Sequence, residues 1–424
     1  MRLGVLGGGL VGLVVAGHAG SECEVLEADA TVGGHCRSLL SQGYTFDLGG
    51  PHILFSRNKE ILDYMFAMLG DNLVMGRRAN KIWYDGRYVK YPFENGLHDL
   101  APADRFDCLY HYLRNDYPPP RNFKEWIYHN FGKGIAEKYM IPYNEKIWRI
   151  PAEELSIDWV EGRVPKPPLE DVVKSAVGVE TEGNVYQLAF GYPRAGGIEA
   201  LVRGFAARCK NVRTGFTVRR VWRQSDSWYV SDGRQTRRYD RLVSTIPIQT
   251  LIEALPDVPE EIRQRTAALR FNSLIVAMLG VRCDSPLPYT AVYVPDPGIV
   301  FHRLAFALNF TPNGAPPGHM AVSAEIASGP QENGCGPSDQ EAIAGTLAGL
   351  ARMGIAAPES VRFSAVHRTR YAYVVRTMHH AENLRAVLKY IENLGIVSVG
   401  RNAEFEYINM DEATRRGLEV AHRF

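Results

Sequence analysis

The chain has 424 residues, 46% of them apolar and 22% charged, with a formal net charge of +1. That length allows two or three domains, or one elaborate α/β domain with insertions, around a large core. The near-neutral balance gives no reason to expect nucleic acid or an anionic membrane as partner, and the local pairs Arg219-Arg220 and Arg237-Arg238 read as solvated strand ends.

The opening element is "RLGVL" (2–6), a short buried strand, followed by "VLGGGLVGLVV" across 5–15. Gly7, Gly9 and Gly12 have G-x-G-x-x-G spacing, "LVGLVVAGHA" has helical spacing, and "CEVLEAD" follows as a second apolar run ending near Glu27. Glu27 lies 20 residues after Gly7, as in a βαβ dinucleotide unit. The first glycine permits the tight turn, the second lets the backbone approach a pyrophosphate, and the third lets helix pack on strand. The helix N-terminus offers free N–H groups and a positive dipole end to phosphate, and Glu27 would accept from a ribose diol. A secretory leader would also begin with a basic residue and an apolar run. Its Leu-rich helix is opposed by the seven glycines from Gly4 to Gly20.

The six cysteines, at 23, 36, 108, 209, 283 and 335, form no C-x-x-C pair. Scattered in this way they suit reduced thiols of a cytoplasmic protein. No later stretch reaches 18 uninterrupted apolar residues, so no transmembrane helix is expected.

"EADATVGGHCRS" then sets Gly33-Gly34 just behind the acidic residue, with Arg37 and Ser38 next. This resembles the signature of FAD enzymes of the amine oxidase, protoporphyrinogen oxidase and UDP-galactopyranose mutase superfamily. The resemblance implies FAD as cofactor, with a double glycine that bends the chain over the pyrophosphate and Arg37 helping to neutralise it. NAD(P)H is a candidate external reductant.

Further along, "IWYDGRYVKY" holds Asp85-Gly86 between alternating runs and predicts a type I′ hairpin. Residues 97–148 are mostly helical in pattern, interrupted by "PPP" at 118–120, and "PKPP" (165–168) and "GPQENGCGPSD" (329–339) read as loops. The stretch 211–247 reads as several short strands ending in "VSTIP". By resemblance it is the family's return into the cofactor domain, with a strand near Val218 against the adenine. "GIVSVGRNAEFEYINMDEATRRGLEVA" (395–421) reads as strand, Gly400-Arg401 turn, then a helix capped by Asn409 or Asp411. It resembles the family's last FAD element. There Arg401 would meet the pyrophosphate, and the helix start at Asn409, Met410 and Asp411 would point at the isoalloxazine carbonyl.

Stretches 46–65, 81–95, 122–148, 189–201 and 300–312 resemble the UDP-galactopyranose mutase-like subgroup. The implied fold class is α/β, a Rossmann-like FAD-binding domain of glutathione reductase type with an inserted α+β substrate domain. The cofactor domain would be discontinuous (1–75, 186–270 and 376–424), with a mostly helical cap at 76–185 and a substrate-domain sheet at 271–375.

In that subgroup the reduced flavin attacks the anomeric carbon of a nucleotide-diphosphate sugar through N5, and the ring reopens and closes as pyranose or furanose. By motif, His52 in "GGPHILF" lines up with a histidine facing the flavin. Arg303 in "FHRLAF" and Arg163 in "EGRVPKPP" line up with two diphosphate-binding arginines, and Tyr371 and Tyr373 with tyrosines that hold the diphosphate. Trp148 would line the nucleotide end. Each has a plainer reading: a satisfied core histidine, an exposed loop arginine, core aromatics. Arg303 lies in an apolar strand pattern and needs a partner, either a carboxylate or a ligand phosphate, and the ligand is the expectation.

The pattern departs from bacterial mutases at Phe55-Ser56, where a second histidine is usual, at Lys166-Pro167, and around 371–376. These changes bear on the sugar, not on FAD. Two further readings therefore stand beside the mutase-like one. The first is FAD-dependent oxidation of an amine or hydrophobic substrate. The second is a flavin-free binding role like that of GDP-dissociation inhibitors, against which the intact Gly33-Gly34 and Gly400-Arg401 argue.

Overall fold

The computed structural model describes residues 1–20, 22–160, 164, 166–181, 188–329 and 336–424. Arg163 lies outside these, as do Pro165 and residues 330–335 of the two expected loops.

The opening residues fold as the glycine spacing requires. Strand Arg2–Leu6 is buried from Leu3 onward, helix Leu10–His18 follows, and strand Glu22–Leu26 returns parallel to the first. These two strands sit inside a five-stranded sheet whose spatial order is Ile396–Ser398, Arg241–Ser244, Arg2–Leu6, Glu22–Leu26, Asn211–Arg213. Every neighbouring pair is parallel, so the sheet draws on three widely separated stretches of chain. Parallel strands buried on both faces need continuous apolar runs, and "RLGVL", "ECEVL" and "RLVS" provide them. An antiparallel meander, Arg220–Gln224, Ser227–Ser231 and Thr236–Tyr239, fills the excursion between two of the strands.

Val218 is not on a strand. It lies in an extended segment between Asn211–Arg213 and the meander. That segment is held to the end of the parallel sheet by amides of Gly215 and Phe216 donating to the carbonyls of Asp29 and Glu27. Those amides are spent on a loop end rather than on a neighbouring strand, so no ladder forms around Val218.

A seven-stranded sheet forms the second half of the molecule, in the order Val361–Val374, Phe271–Arg282, His319–Ser328, Arg303–Phe306, Ala291–Tyr293, Asn80–Tyr84, Arg87–Lys90. Asp85 and Gly86 both have positive φ (46° and 73°), the geometry of the expected type I′ turn. This hairpin extends the large sheet instead of joining the helical cap, because Asn80–Tyr84 pairs parallel with Ala291–Tyr293. Helix Asp339–Arg352, opened by a Ser338–Glu341 capping box, packs on one face of the sheet. The other face carries helices Pro102–Leu113, Phe123–Ile135 and Ile141–Trp148.

Paired residues of a sheet point to the same side. One row crosses all seven strands: His367, Val276, Glu325, Arg303, Tyr293, Ile82, Val89. That row faces the helices and places two charged side chains at the centre of the molecule.

Candidate active site

Gly7 has φ +101°, and a Cβ there would lie 2.6 Å from the Thr245 hydroxyl oxygen. A Cβ on Gly12 would lie 2.0 Å from the Gly7 carbonyl oxygen, so helix and strand meet without side chains. Gly9 is different: a Cβ there would find only the Gly34 Cα, at 4.0 Å. The glycine that is not needed for packing thus opens onto free space, as a surface meant to lie against a ligand does.

Gly33 (φ +126°) and Gly34 (φ +53°) bend the chain back over this turn, with the Gly33 amide donating to the Gly8 carbonyl at 2.8 Å. Glu27 is buried and accepts from the amides of Gly8 (2.7 Å) and Asp29 (2.8 Å). Each carboxylate oxygen keeps a second lone pair for a ribose hydroxyl. Arg37 donates to the Gly34 carbonyl and pairs with Asp29 at 2.9 Å, so its charge stands beside the bend.

The last segment closes the site from the other side. Asn409 sits at the N-cap of helix Met410–Ala421, and its side chain makes no capping bond. Asp411 accepts from Ser56 Oγ at 2.7 Å, tying the helix start to the segment that follows His52. Met410 Sδ accepts a long contact from the thiol of Cys36, in the bend after Gly33-Gly34. Arg401 donates to the carbonyls of Ala372 (2.9 Å) and Ile408 (3.1 Å) and lies 4.3 Å over the Tyr407 ring. Its Nε is buried without a partner among the described residues. Two helix N-termini without side-chain caps, an open glycine and an orphaned guanidinium N–H fit a dinucleotide diphosphate.

His52 occupies a turn between two buried carboxylates. Asp47 is approached by donors from four segments: Ser38 Oγ (2.8 Å), the Ile198 amide (3.0 Å), Tyr192 OH (2.8 Å) and the His52 amide (3.4 Å). On the other side, a Cβ at Gly50 would fall 2.8 Å from Glu325 Cδ, so the turn rests on that carboxylate. His52 Nδ1 lies 2.7 Å from the Gly50 carbonyl. A carbonyl only accepts, so Nδ1 carries the proton. Burial holds the ring below the usual histidine range against the pull of Asp47, which leaves Nε2 with a free lone pair.

Arg303 finds a carboxylate, not an empty pocket. Its Nε and Nη2 donate to Glu325 at 2.6 and 2.7 Å, in a bidentate pair across neighbouring strands. Tyr373 donates to the same carboxylate at 3.1 Å, so its hydroxyl is spent inside the fold. The counter-charge of Arg303 is thus a protein carboxylate, not the ligand that was expected, and Tyr373 is spent on the same carboxylate, while Nη1 of Arg303 is left over. The physical reason is that a charge in the middle of a sheet requires its counter-charge there. Glu325 was missed in the sequence, although a lone carboxylate inside "HMAVSAEIAS" was the signal. Tyr371, half-buried, packs on Phe271 with ring centroids 4.4 Å apart. Trp148 is core, set among Trp159, Tyr373 and Tyr407 with its indole N–H donated to Asn144.

Beyond Arg303 lies a group of tyrosines that sequence reasoning did not assemble. Tyr91 stacks on Tyr293 (4.7 Å), Tyr293 meets Tyr143 edge-on (5.5 Å), and Tyr143 stacks on Tyr139 (5.5 Å). None of the four hydroxyls has a hydrogen-bond partner among the described residues, yet none is sealed from solvent. Together with the Nη1 of Arg303, which has no partner among the described residues, they form a group of unsatisfied donors near the turn of His52. Among the described residues no cluster of His, Cys, Asp and Glu suits a metal ion, and no helix is long and apolar enough to cross a membrane.

Fold and site together define a dinucleotide-dependent enzyme built on a Rossmann-like parallel sheet. The family model for flavin-containing amine oxidoreductases matches residues 169–423, and one for NAD(P)-binding Rossmann-like domains matches 5–68. The chain belongs to the flavin-containing amine oxidoreductase family, and its cofactor is FAD. Among solved structures, a reduced UDP-galactopyranose mutase aligns over the whole chain and 95% of its own, at 25% identity and a TM-score of 0.90. A protein described as a protoporphyrinogen oxidase, from an Exiguobacterium species, aligns over the whole chain and 98% of its own (16% identity, TM-score 0.78). Cyclohexylamine oxidase from Brevibacterium oxydans aligns over the whole chain and 98% of its own (14% identity, TM-score 0.66).

Proposed function

We propose that this flavoenzyme acts on a nucleotide-diphosphate sugar and interconverts pyranose and furanose forms, or carries out related sugar chemistry. The observation that carries the reading is this group of donors. Four tyrosine hydroxyls and the Nη1 of Arg303, without partners among the described residues, offer donors to a phosphorylated, polyhydroxylated ligand, and the space before them is taken as the substrate recess. The full-length likeness to a UDP-galactopyranose mutase supports it.

When bound, reduced FAD supplies an electron-rich ring to an electrophilic carbon, with NAD(P)H as the proposed reductant. The chain's own residues bind, orient and shield. Arg303 and the tyrosines hold the diphosphate and sugar hydroxyls. His52 presents Nε2 as the proton acceptor beside the reacting centre. Arg163 remains a proposed second phosphate ligand. Trp148, Tyr371 and Tyr373 are supporting walls. The enzyme is proposed to work in the cytoplasm on a small molecule.

One observation favours the alternative, oxidation of an amine or hydrophobic substrate. Glu325 already neutralises Arg303, and the recess is walled by aromatic rings. The purified protein, reduced without oxygen and mixed with UDP-sugars, separates the two. A perturbed flavin spectrum with sugar isomerisation supports the first reading. Spectral silence toward every nucleotide sugar, with rapid oxygen consumption on an amine, replaces it with the second.

A further inference from the structure

We propose that Glu325 is an internal competitor for Arg303, so that the recess admits a diphosphate but turns away singly phosphorylated ligands. This inference rests on the reading of the site as one for a nucleotide diphosphate.

The two partners of the ion pair are not equivalent. Glu325 is 0% exposed, and besides Arg303 it is held by Tyr373 and covered by the turn at Gly50. Arg303 keeps 25% of its side chain exposed, and its Nη1 has no partner among the described residues. The carboxylate is therefore fixed, and the guanidinium is the side that a ligand can reach. An anion entering the recess meets a pair of zero net charge. To gain a full charge–charge contact it must share the guanidinium or draw it away from Glu325.

Drawing it away exposes a buried carboxylate to loss of two charge-assisted hydrogen bonds. The fold holds one spare donor against that loss. His302 is 1% exposed, both ring nitrogens lack a hydrogen-bond partner among the described residues, and its Nε2 stands 3.8 Å from Glu325. A small movement of Arg303 lets a neutral His302 donate Nε2–H to the carboxylate. A single phosphate group, whose acceptor oxygens sit on one phosphorus, does not offset the exchange. A diphosphate, whose acceptor oxygens are spread over two phosphorus atoms and can meet Nη1 and the tyrosine hydroxyls together, does.

The test is titration of the FAD-loaded protein with orthophosphate, pyrophosphate and UDP, read by calorimetry and by perturbation of the flavin spectrum. The wild type is expected to bind pyrophosphate and UDP far more tightly than orthophosphate. In Glu325→Gln both inorganic anions should bind roughly tenfold tighter, with the larger relative gain for orthophosphate, because the guanidinium is no longer neutralised. Glu325→Asp keeps the charge but reaches only one guanidinium nitrogen, so a gain of about two- to threefold is expected. It decides the matter should the glutamine variant fail to fold. A merely structural carboxylate predicts weaker binding in both. Unchanged or weakened affinity in a folded, flavin-loaded variant overturns the inference. If the wild type binds UDP and neither variant gains, the competition alone falls. If no diphosphate binds to any of the three, the nucleotide-sugar reading falls with it.

Discussion

The Gly12 position and the Gly7 carbonyl oxygen are so close that an added Cβ would sit 2.0 Å from that oxygen. Helix Leu10–His18 and strand Arg2–Leu6 thus touch backbone to backbone, which is how the helix N-terminus comes to face the cofactor. Gly12→Ala should cost about 2–3 kcal/mol by overpacking and strip the protein of flavin. Thermal melting and the flavin-to-protein absorbance ratio check this. Gly9→Ala, at the open position, should melt near the wild-type temperature yet bind FAD more weakly. Equal flavin content in Gly9→Ala and wild type would refute the assignment of that glycine to the cofactor.

Arg401 is tied to two carbonyls and to the Tyr407 ring, with one N–H left over. Arg401→Lys keeps the charge but reproduces neither the fork nor the stacking. FAD affinity should drop at least roughly tenfold, measured by equilibrium dialysis of the apoprotein with FAD. A lysine variant that holds FAD as tightly as the parent would show that Arg401 serves the fold alone.

Buried histidines set the acid limit of stability. Burial pushes His35 and His302 down to about 3 and His380 to about 4, and lowers His52 as well. Below about 6.5 the unfolded chain takes up protons that these native imidazoles refuse, so stability is full above 6.5 and is lost as pH falls. Each ring held near 3 accounts for about 2 kcal/mol by pH 5. The melting temperature should fall steeply between pH 6.5 and 4.5. His380→Phe, which can keep the stack on Phe405, should flatten that slope. A slope unchanged by the substitution would remove His380 from the account.

Glu94 works in the opposite sense. Burial raises its carboxyl to about 7, among Tyr91, Tyr112 and Tyr139. Between about 4.5 and 7 the native state keeps a proton that the unfolded chain gives up, so this group's contribution weakens as pH rises through that window. Glu94→Gln should therefore stabilise the protein at pH 8, by about 3 kcal/mol at most, and change little at pH 4.5. Melting curves at the two pH values check the difference. Equal shifts at both would refute it.

The cofactor half was readable because its signals are local. Three glycines, an acidic residue 20 positions on, and Gly33-Gly34 each depend on backbone conformation a few residues away. Asp85-Gly86 was readable for the same reason: both residues must take positive φ, and that is a property of the dipeptide. Val218 was misjudged because an apolar residue in a run of β-formers gives no sign that its neighbours' amides are used by Glu27 and Asp29.

The substrate half behaves differently. Arg303 announced that it needed a counter-charge, but the sequence left open whether a protein carboxylate or a ligand would supply it. The antiparallel register that sets Glu325 opposite Arg303 decided that question, 22 residues further along the chain. Tyr91 follows a strand, Tyr139 and Tyr143 lie on helical segments and Tyr293 ends another strand, and only sheet pairing and helix packing bring their rings together. Short-range steric and hydrogen-bonding rules thus determined the dinucleotide turn and the family, since they act between near neighbours in sequence. The charge state and lining of the pocket arise from contacts at long sequence separation, and those exist only once the seven strands have taken their order.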